Sequence, residues 1–401
     1  MSTSPSRVSA LKSATKVLSS LQGGSGESLS ESERVSALAE ATKLVAALEN
    51  PEDASLKFAY MPGAWMAIRT LVDLKVFHML SEKEAVSVCE LATRTGADEL
   101  LLTRLLRVLV ALGYVSENGV GHYGPTKWTM HFSNRLTEGM IKFIYDHTMP
   151  CLAATPTWLK DKGYPNPIDP KDSIWQAGHG NCKELTFEWL ALPGNESYWD
   201  DANSFFEGDR GSRPAWFTWF PVQEKLLDGA DVNDDAILMV DVAGGRGHDL
   251  LEFHAQYHAQ PGRLILQDQQ PVLDSITDLP KRIETYGLDF WTQQPVPGAR
   301  VYFMKFIMHD YADPDCIRIL RHVAVSMRKG YSRLVINDFI LPDKGSSLLP
   351  AQWDLMMMVF LAAFERTASQ WRTLLSAAGL EIEGMYYPPG DGQGIIIASL
   401  V

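Results

Sequence analysis

The chain contains 401 residues, more than a single hydrophobic core usually holds, so its length predicts two domains. Its formal net charge of −13 argues against nucleic acid or an anionic membrane as a partner, because both attract clusters of Lys and Arg. The four cysteines lack the paired spacing of a metal site or a disulfide framework, and no apolar run is long enough to span a bilayer. We therefore expect a cytoplasmic protein that holds no metal.

The N-terminal region combines polar patches with short helical patterns. Apolar residues recur at helical spacing over 32–48, and the Gly- and Ser-rich stretch 23–28 predicts a mobile linker. A further helical segment covers 58–80, with an interruption expected at Pro62 and Gly63. This segment carries so much apolar surface that we expect another chain to cover it.

Residues 86–123 follow a winged-helix pattern. Two helices are predicted over 86–96 and 98–113, and the run 114–123 predicts a β-hairpin that turns at Asn118 and Gly119. DNA binding is one interpretation of this pattern, but the second helix is rich in leucine and the chain is acidic. The pattern therefore favours a packing and dimerisation module.

The stretch that follows is helical and unusually aromatic. Aromatic side chains form part of any core, and they also suit a pocket for a flat, apolar substrate. We expect such a pocket to be lined by His147, Trp216, Phe217, Met357 and Phe360.

From residue 237 onward, short apolar runs alternate with helical ones. This alternation predicts a mostly parallel β-sheet covered by helices. The candidate strands are 237–242, 263–267, 300–303 and 333–337, followed by a C-terminal antiparallel pair at 380–387 and 394–400.

A glycine-rich turn follows the first of these strands. The strand ends near Asp241, and Gly244, Gly245 and Gly247 come next, so main-chain N–H groups can approach a ligand closely. Asp268 ends the second strand, where it can accept hydrogen bonds from two ribose hydroxyls. The sequence therefore predicts a nucleoside site.

The spacing of the glycines separates two classes of cofactor. A dinucleotide requires a third glycine three residues after the second, but that position falls on Leu250 or Asp249, depending on the starting glycine. S-adenosylmethionine carries no phosphate, and the acidic Asp241 suits its cationic amino-acid end. We therefore predict S-adenosylmethionine as the cofactor.

A histidine with nearby carboxylates is the candidate catalytic group. His309 follows the third predicted strand, Asp338 follows the fourth, and Glu365 lies further along the chain. The ends of strands in an open α/β sheet face one crevice, so both carboxylates could converge on His309. A histidine held in this way can act as a general base toward a phenol or an enol.

Five motifs in a fixed order resemble the S-adenosylmethionine-dependent O-methyltransferases of plant and fungal secondary metabolism. The similarity runs from about residue 60 to the C-terminus. The matching pieces are VDVAGGRG at 240–247, LQD at 266–268, MHDY at 308–311, RLVIND at 333–338, and ERT at 365–367 with Gln370 and Trp371 before Ala378 and Gly379. The resemblance implies a Rossmann-like class I methyltransferase domain with an N-terminal helical winged-helix dimerisation domain.

The resemblance also implies a role for individual residues in binding the cofactor. Gly244, Gly245 and Asp268 would hold it, and Asp289 and Phe290 would flank its adenine. S-adenosyl-L-homocysteine would be the product.

The same resemblance assigns the catalytic roles. Lys305 would lie near the ribose or the amino-acid end of the cofactor, His309 would be the base, and Asp338 and Glu365 would orient its imidazole. Three positions depart from the family pattern, because Ala243 replaces a glycine, Asp338 a glutamate, and Phe364 a smaller residue. None of these changes removes the cofactor site, although the contact from Asp338 to His309 is expected to be longer or bridged by water.

The predicted organisation has four parts. They are a mobile or helical segment at 1–55, a dimerisation domain at 56–135, a substrate-pocket region at 136–230 and a cofactor-binding catalytic domain at 231–401. We expect a homodimer formed through the N-terminal domain, which takes a small-molecule substrate.

Two other functions remain open at this point. A pericyclase or dehydratase on the same scaffold would bind S-adenosylmethionine without methyl transfer, and His147 is compatible with that role. A non-catalytic binding protein built on the winged helix is the third possibility. The presence of His309 with both carboxylates favours methyl transfer, because a pericyclase does not need that base.

Overall fold

The computed structural model describes residues 7–22, 29–208, 210–211, 213–292 and 294–401. The linker predicted at 23–28 lies outside the described residues. The chain forms two compact units, one comprising Met1–Met149 and Leu190–Asp209 and the other comprising Pro150–Trp189 and Arg210–Val401. None of the described helices is long and apolar enough to cross a membrane.

Most of the secondary structure is helical. In chain order the helices are α1 (Arg7–Gln22), α2 (Glu31–Leu48), α3 (Pro51–Asp73), α4 (Val76–Ser81), α5 (Val88–Thr95), α6 (Glu99–Ala111), α7 (Lys127–Phe132), α8 (Arg135–Phe143), α9 (Met149–Lys162), α10 (Ile174–Gly178), α11 (Thr186–Leu190), α12 (Glu196–Gly208), α13 (Trp216–Trp219), α14 (His248–Gln256), α15 (Gln270–Asp274), α16 (Asp313–Ser326), α17 (Leu348–Leu361) and α18 (Ala368–Ala377). Shorter turns are π-helical at Ile144–Thr148 and Gln223–Leu227 and 3-10 helical at Met308–Asp310.

The strands fall into three sheets. In chain order they are β1 (Val86–Ser87), β2 (Ser116–Gly119), β3 (His122–Gly124), β4 (Ile237–Val242), β5 (Arg263–Asp268), β6 (Ile283–Gly287), β7 (Val301–Lys305), β8 (Arg333–Asn337), β9 (Ile340–Leu341), β10 (Arg366–Thr367), β11 (Leu380–Tyr386) and β12 (Ile395–Leu400).

The first helices of the first unit confirm one prediction and correct another. The helix predicted at 32–48 is α2, which begins after a capping box formed by Ser30 and Glu33. The interruption predicted at Pro62 and Gly63 was wrong, because α3 continues through both residues. The helix ends instead before Lys75, which has a left-handed φ of 55°.

Packing holds the second half of α3. Its buried residues Ala67, Ile68, Leu71 and Val72 share one apolar cluster with Leu105 of α6 and its neighbours. The first half of the helix, before Pro62, is almost wholly exposed, so nothing in the described packing explains why the helix continues through the proline. The predicted domain boundary between residues 55 and 56 falls inside α3, and the four-part division stays a prediction.

The predicted winged-helix elements are present in the first unit. Asp98 accepts a hydrogen bond from the Leu101 N–H at the start of α6, as a capping residue does. The hairpin of β2 and β3 turns at Val120 and Gly121, so the turn predicted at Asn118 and Gly119 was wrong. The Asn118 side chain instead donates to the backbone carbonyl of residue 84.

The second unit is built on a seven-stranded sheet with the order β11-β12-β8-β7-β4-β5-β6. Strands β6, β5, β4, β7 and β8 run parallel, whereas β12 is antiparallel to both β8 and β11. All six predicted strands are found in this sheet. No apolar pattern predicts β6, because four of its five residues are exposed at the edge of the sheet.

Helices cover both faces of this sheet, as the alternating pattern predicts. Trp371 of α18 packs in the cluster on one face, together with Tyr302 and Ile336 of the sheet. Trp216 and Phe253 pack in the cluster on the other face. The polar ends of the parallel strands β4, β5, β7 and β8 therefore meet at one edge, where a ligand crevice is expected.

The turn after β4 departs from ordinary backbone geometry. Ala243, Gly245 and Gly247 have φ angles of 58°, 59° and 78°, in the left-handed region. Glycine enters this region without a steric cost, whereas alanine pays about 1–2 kcal/mol. Ala243 therefore holds a strained position in the turn.

We predict that Ala243→Gly raises the free energy of unfolding by up to about 1 kcal/mol, because relief of the strain exceeds the added flexibility of the unfolded chain. Urea unfolding measures this change. The matched control is Ala324→Gly inside α16, which should destabilise by about 0.5–1 kcal/mol. Equal destabilisation by both variants would contradict the assignment of strain to Ala243.

Candidate active site

The glycine turn packs so closely that two of its positions exclude a side chain. A Cβ atom on Gly244 would lie 2.5 Å from Cγ of Asp241, and a Cβ atom on Gly247 would lie 2.7 Å from a Cδ atom of Leu266. Asp268 ties the turn to the end of β5, because its Oδ2 accepts the Gly245 N–H at 2.8 Å. The turn is thereby held beside the carboxylate of Asp268, and the role of both toward a ligand stays a prediction.

Two acidic residues beside this turn have opposite pKa shifts. Burial, with repulsion from Asp249, raises the pKa of Asp241 to about 7. Burial also acts to raise the pKa of Asp249, but the ammonium group of Lys305, 2.9 Å away, lowers it well below its usual range. Lys305 is therefore held at the end of β7, next to the glycine turn. Among the described residues, no group of three or more His, Cys, Asp or Glu side chains is arranged to hold a metal ion.

The predicted adenine-flanking residues follow β6. Asp289 is exposed and accepts the Trp291 N–H at 3.0 Å. The Phe290 ring packs edge-on against Trp291 and Tyr311, with centroid distances of 5.2 and 5.8 Å. The two residues thus extend the same edge of the sheet beyond Asp268, and their role toward adenine stays a prediction.

His309 is buried in the 3-10 turn after β7, between two carboxylates. Its Nδ1 lies 2.6 Å from Oε1 of Glu365, and its Nε2 lies 3.2 Å from Oδ1 of Asp310. Burial disfavours the charged imidazole, but the charges of Glu365, Asp310 and Asp338 outweigh it and raise the pKa of His309 to about 10. The environment therefore makes His309 an unusually strong base.

Asp338 does not bond to His309 in this arrangement. Its Oδ1 accepts the backbone N–H of Phe306 at 2.7 Å, and among the described atoms its buried Oδ2 has no hydrogen-bond partner. Phe306 has a left-handed φ of 55°, and its ring stacks on the imidazole at 4.8 Å. Asp338 thus fixes the backbone that carries Phe306, and it acts on His309 through its charge.

Three supporting residues escaped the sequence reasoning. Arg366 is fully buried and donates to the carbonyls of Met308 and Tyr311 at 2.6 and 2.8 Å, so it holds both ends of the His309 turn. Asp354 on α17 accepts the Glu365 N–H at 2.8 Å. The third supporting residue is Asp310, whose carboxylate faces Nε2 of His309. The sequence indicates two of these residues only by their position, because Asp310 directly follows His309 and Arg366 directly follows Glu365.

Two predicted pocket residues lie on α17, which passes close to the His309 turn. Met357 is half-buried on this helix, and Phe360 is buried against Trp175 of α10 with the ring centroids 5.7 Å apart. On the same helix, the Trp353 ring stacks on Phe306 at 5.4 Å. The structure therefore brings α17 and His309 together, as the prediction requires.

The other three predicted pocket residues pack against aromatic neighbours. Trp216 stacks on Phe303 at 5.0 Å and packs in the cluster on one face of the sheet. The described ring contacts of Phe217 are with aromatic residues of the same cluster. His147 is buried in the first unit, where it meets the Tyr198 ring edge-on at 4.9 Å. The role of these three residues in a substrate pocket stays a prediction.

Taken together, the parallel sheet, the glycine turn after β4 and the acidic residue that ends β5 define a class I methyltransferase type of domain. Family comparison agrees, because residues 218–381 match the O-methyltransferase domain model and residues 57–132 match the O-methyltransferase dimerisation domain model. The chain belongs to the O-methyltransferase family.

Curated relatives from fungi support this assignment over most of the chain. The O-methyltransferase asqD of Emericella nidulans is 36% identical, over 84% of this chain and 86% of the relative. The O-methyltransferase penC of Penicillium thymicola is 34% identical, over 88% of this chain and 87% of the relative. The predicted family, enzyme class and cofactor class are therefore confirmed.

Solved structures confirm the predicted fold class. One described as a pericyclic reaction enzyme matches with a TM-score of 0.88 and 28% identity, over 98% of this chain and 99% of that chain. OxaC in complex with sinefungin and meleagrin matches with a TM-score of 0.81 and 26% identity, over 98% of this chain and 100% of that chain.

We predict that Asp310→Asn lowers the pKa of His309 by about 1 unit or more, because the variant removes the anion that faces Nε2. NMR titration of the imidazole measures this value without relying on enzyme activity. In the unmodified protein the raised pKa stabilises the fold below pH 6.5, and this stabilisation is lost as the pH rises through about 10. Asp278→Asn, on an exposed loop, is the control. An unchanged His309 pKa in Asp310→Asn would contradict the prediction.

Proposed function

We propose that this protein transfers a methyl group from S-adenosylmethionine to a hydroxyl of an aromatic or polyketide-like secondary metabolite, with His309 as the general base. The contact between His309 and Glu365 is the observation that carries this proposal, because a buried carboxylate 2.6 Å from Nδ1 fixes the imidazole. Nε2, which lies 3.2 Å from Oδ1 of Asp310, is then the nitrogen that would take the acceptor proton, with Asp310 stabilising the charge that forms. S-adenosylhomocysteine would be the second product.

The residues at the sheet edge fit the cofactor. Asp241 and Leu266 fill the Cβ directions at Gly244 and Gly247, whereas nothing lies within 4 Å of a Cβ placed on Gly245, so the turn is open to close approach of a ligand at Gly245. Asp268 would accept hydrogen bonds from the ribose, and Asp289 and Phe290 would lie along the adenine. When bound, S-adenosylmethionine supplies a methyl group on a sulfonium, which is already electrophilic.

The remaining task of the protein is to remove a proton from the acceptor and align its oxygen. The raised His309 pKa of about 10 is close to that of a phenol. The carboxylates around the imidazole therefore favour transfer of the acceptor proton to Nε2. Because only the neutral imidazole can accept this proton, methyl transfer should become faster as the pH rises toward 10.

The aromatic surroundings of His309 support a flat acceptor. Phe306 and Trp353 are half-buried, their rings stack with the centroids 5.4 Å apart, and Phe306 also stacks on the imidazole. Such rings can pack against a planar molecule. One relative, 30% identical over 82% of this chain, is demethylsterigmatocystin 6-O-methyltransferase of Aspergillus flavus, whose name specifies a secondary-metabolite acceptor.

The first unit supports a homodimer. On α3, Phe58 and Tyr60 are 82% and 73% exposed within a stretch that also exposes Leu56 and Met61. An exposed apolar patch of this kind marks an interaction surface, and it overlaps the matched dimerisation domain. We also propose a cytosolic location, because all four cysteines are free thiols.

A second candidate function is a pericyclase that keeps S-adenosylmethionine as a bound group. The observation that favours it is the similarity to the solved structure described as a pericyclic reaction enzyme, with a TM-score of 0.88 and 28% identity over 98% of this chain. This alternative predicts conversion of the substrate that survives loss of His309 and releases no S-adenosylhomocysteine.

We predict that His309→Gln lowers methyl transfer to a phenolic acceptor by at least roughly a hundredfold, because it removes the general base. Transfer of a labelled methyl group measures the rate. Calorimetric titration with S-adenosylhomocysteine should give the same affinity as the unmodified protein, which shows that the fold is retained. Full activity in a variant that binds S-adenosylhomocysteine normally would overturn the role of His309.

We predict that Phe58→Glu shifts the protein from dimer to monomer at micromolar concentration, because a charge cannot be buried at an apolar interface without a partner. Sedimentation velocity measures the assembly. The control is Val232→Glu, at a residue of the second unit that is 82% exposed. A monomeric unmodified protein, or a dimer in both variants, would contradict the assignment of α3 to the interface.

A further inference from the structure

A small cavity lies in the second unit next to the glycine turn. Its wall includes Asp249 from the first turn of α14, Lys305 and Asn337 from the ends of β7 and β8, and residues of two loops. One loop precedes α13 and contributes Arg213, and the other connects β11 to β12 and contributes Gln393. The cavity therefore shares a wall with the predicted cofactor site.

Three nitrogen donors in this wall lack an acceptor. Within the part of the chain that the structure describes, Nε of Arg213, Nε1 of Trp216 and Nε2 of Gln393 are buried and have no hydrogen-bond partner. Trp216 and Gln393 are only 3% and 7% exposed. Leaving a buried N–H group unpaired costs about 1–3 kcal/mol, so three such groups in one wall indicate that a ligand supplies the acceptor.

The guanidinium group of Arg213 is only partly satisfied by the protein. Its Nη1 donates to the Arg210 carbonyl at 3.1 Å, and its Nη2 lies 3.3 Å from Oδ1 of Asp391. By contrast, Arg210 in the same wall forms a two-point contact with the Glu252 carboxylate. Arg213 thus retains capacity for a second, stronger partner.

The local packing holds Arg213 at the cavity. A Cβ atom on Gly392 would lie 2.8 Å from Cδ of Arg213, so the loop lies directly against this side chain. The loop is anchored in turn, because the Asn337 amide donates to the Gly394 carbonyl at 2.9 Å and the Gly394 N–H donates to the Asp338 carbonyl. The donor arrangement is therefore built by the fold.

We propose that Arg213, Trp216 and Gln393 bind a carboxylate, namely the α-carboxylate of the methionine end of S-adenosylmethionine. A cation together with neutral N–H donors matches a carboxylate, which offers several lone pairs and no donor. The nearby carboxylate of Asp249 is already paired with Lys305. This inference rests on the proposed function, because it assumes that the cofactor occupies the glycine turn.

The test compares two nucleosides by calorimetric titration of the full-length protein. S-adenosylhomocysteine carries the amino-acid carboxylate, and 5′-methylthioadenosine lacks the whole amino-acid end. Arg213→Met should weaken S-adenosylhomocysteine about tenfold to a hundredfold, as expected for loss of a charged hydrogen bond. It should leave 5′-methylthioadenosine within about twofold, because that ligand does not reach the cavity.

A second variant keeps the proposal testable if Arg213→Met fails to fold. Gln393→Glu keeps the size of the side chain and replaces a donor with a carboxylate, so it should weaken S-adenosylhomocysteine at least about tenfold and spare 5′-methylthioadenosine. The matched control is Arg263→Met, which removes an arginine from a two-point contact with Glu284 at the opposite end of β5. It should leave the affinity for both nucleosides unchanged.

Other results of these titrations would overturn either the carboxylate subsite or the proposed function. Unchanged S-adenosylhomocysteine affinity in both cavity variants, or equal weakening of the two nucleosides, would overturn the carboxylate subsite. Normal S-adenosylhomocysteine binding with a raised KM for an acidic acceptor would overturn it too, because the carboxylate would then belong to the substrate. If the unmodified protein bound neither nucleoside, the proposed function itself would fail.

Discussion

The buried contact between Glu365 and His309 is the constraint on which the rest of the site depends. Glu365 holds the imidazole through Nδ1, and the next residue, Arg366, holds the backbone on both sides of His309. Adjacent residues therefore fix the side chain and the turn that carries it. Asp354, which lies on α17, accepts the Glu365 N–H and so stabilises the position of this pair. The base is thus positioned before any acceptor binds, which lowers the entropic cost of reaction.

The chemistry follows from how charge is distributed along one edge of the sheet. Three carboxylates surround a single buried imidazole and raise its pKa, whereas at the glycine turn Lys305 neutralises Asp249 beside the buried Asp241. Both groups stand at the ends of parallel strands, so the fold brings a cofactor loop and a base to the same crevice. The cavity at Arg213 extends this arrangement with donors, which suits a ligand that carries both a cation and a carboxylate.

Patterns of local sequence predicted much of this structure. Hydrophobic periodicity located six strands of the sheet, and the glycine spacing predicted the turn next to Asp268. The sequence could not predict what depends on tertiary packing. The helix α3 continues through Pro62, where a proline usually interrupts a helix. The Asn118 side chain, predicted to lie in the wing turn, instead contacts a backbone carbonyl distant in the sequence. Likewise, Asp338 was expected to face His309, but its hydrogen bond goes to the strained backbone of Phe306, a geometry that no spacing in the sequence indicates.

The central claim is that the cofactor is consumed and that the site does not merely hold it. The most direct measurement is a single-turnover reaction with S-adenosylmethionine labelled in its methyl group and a phenolic acceptor, in which S-adenosylhomocysteine and the labelled product are both quantified. We expect equal molar amounts of the two, formed at the same rate. Conversion of the acceptor without label in the product, and without S-adenosylhomocysteine, would contradict it.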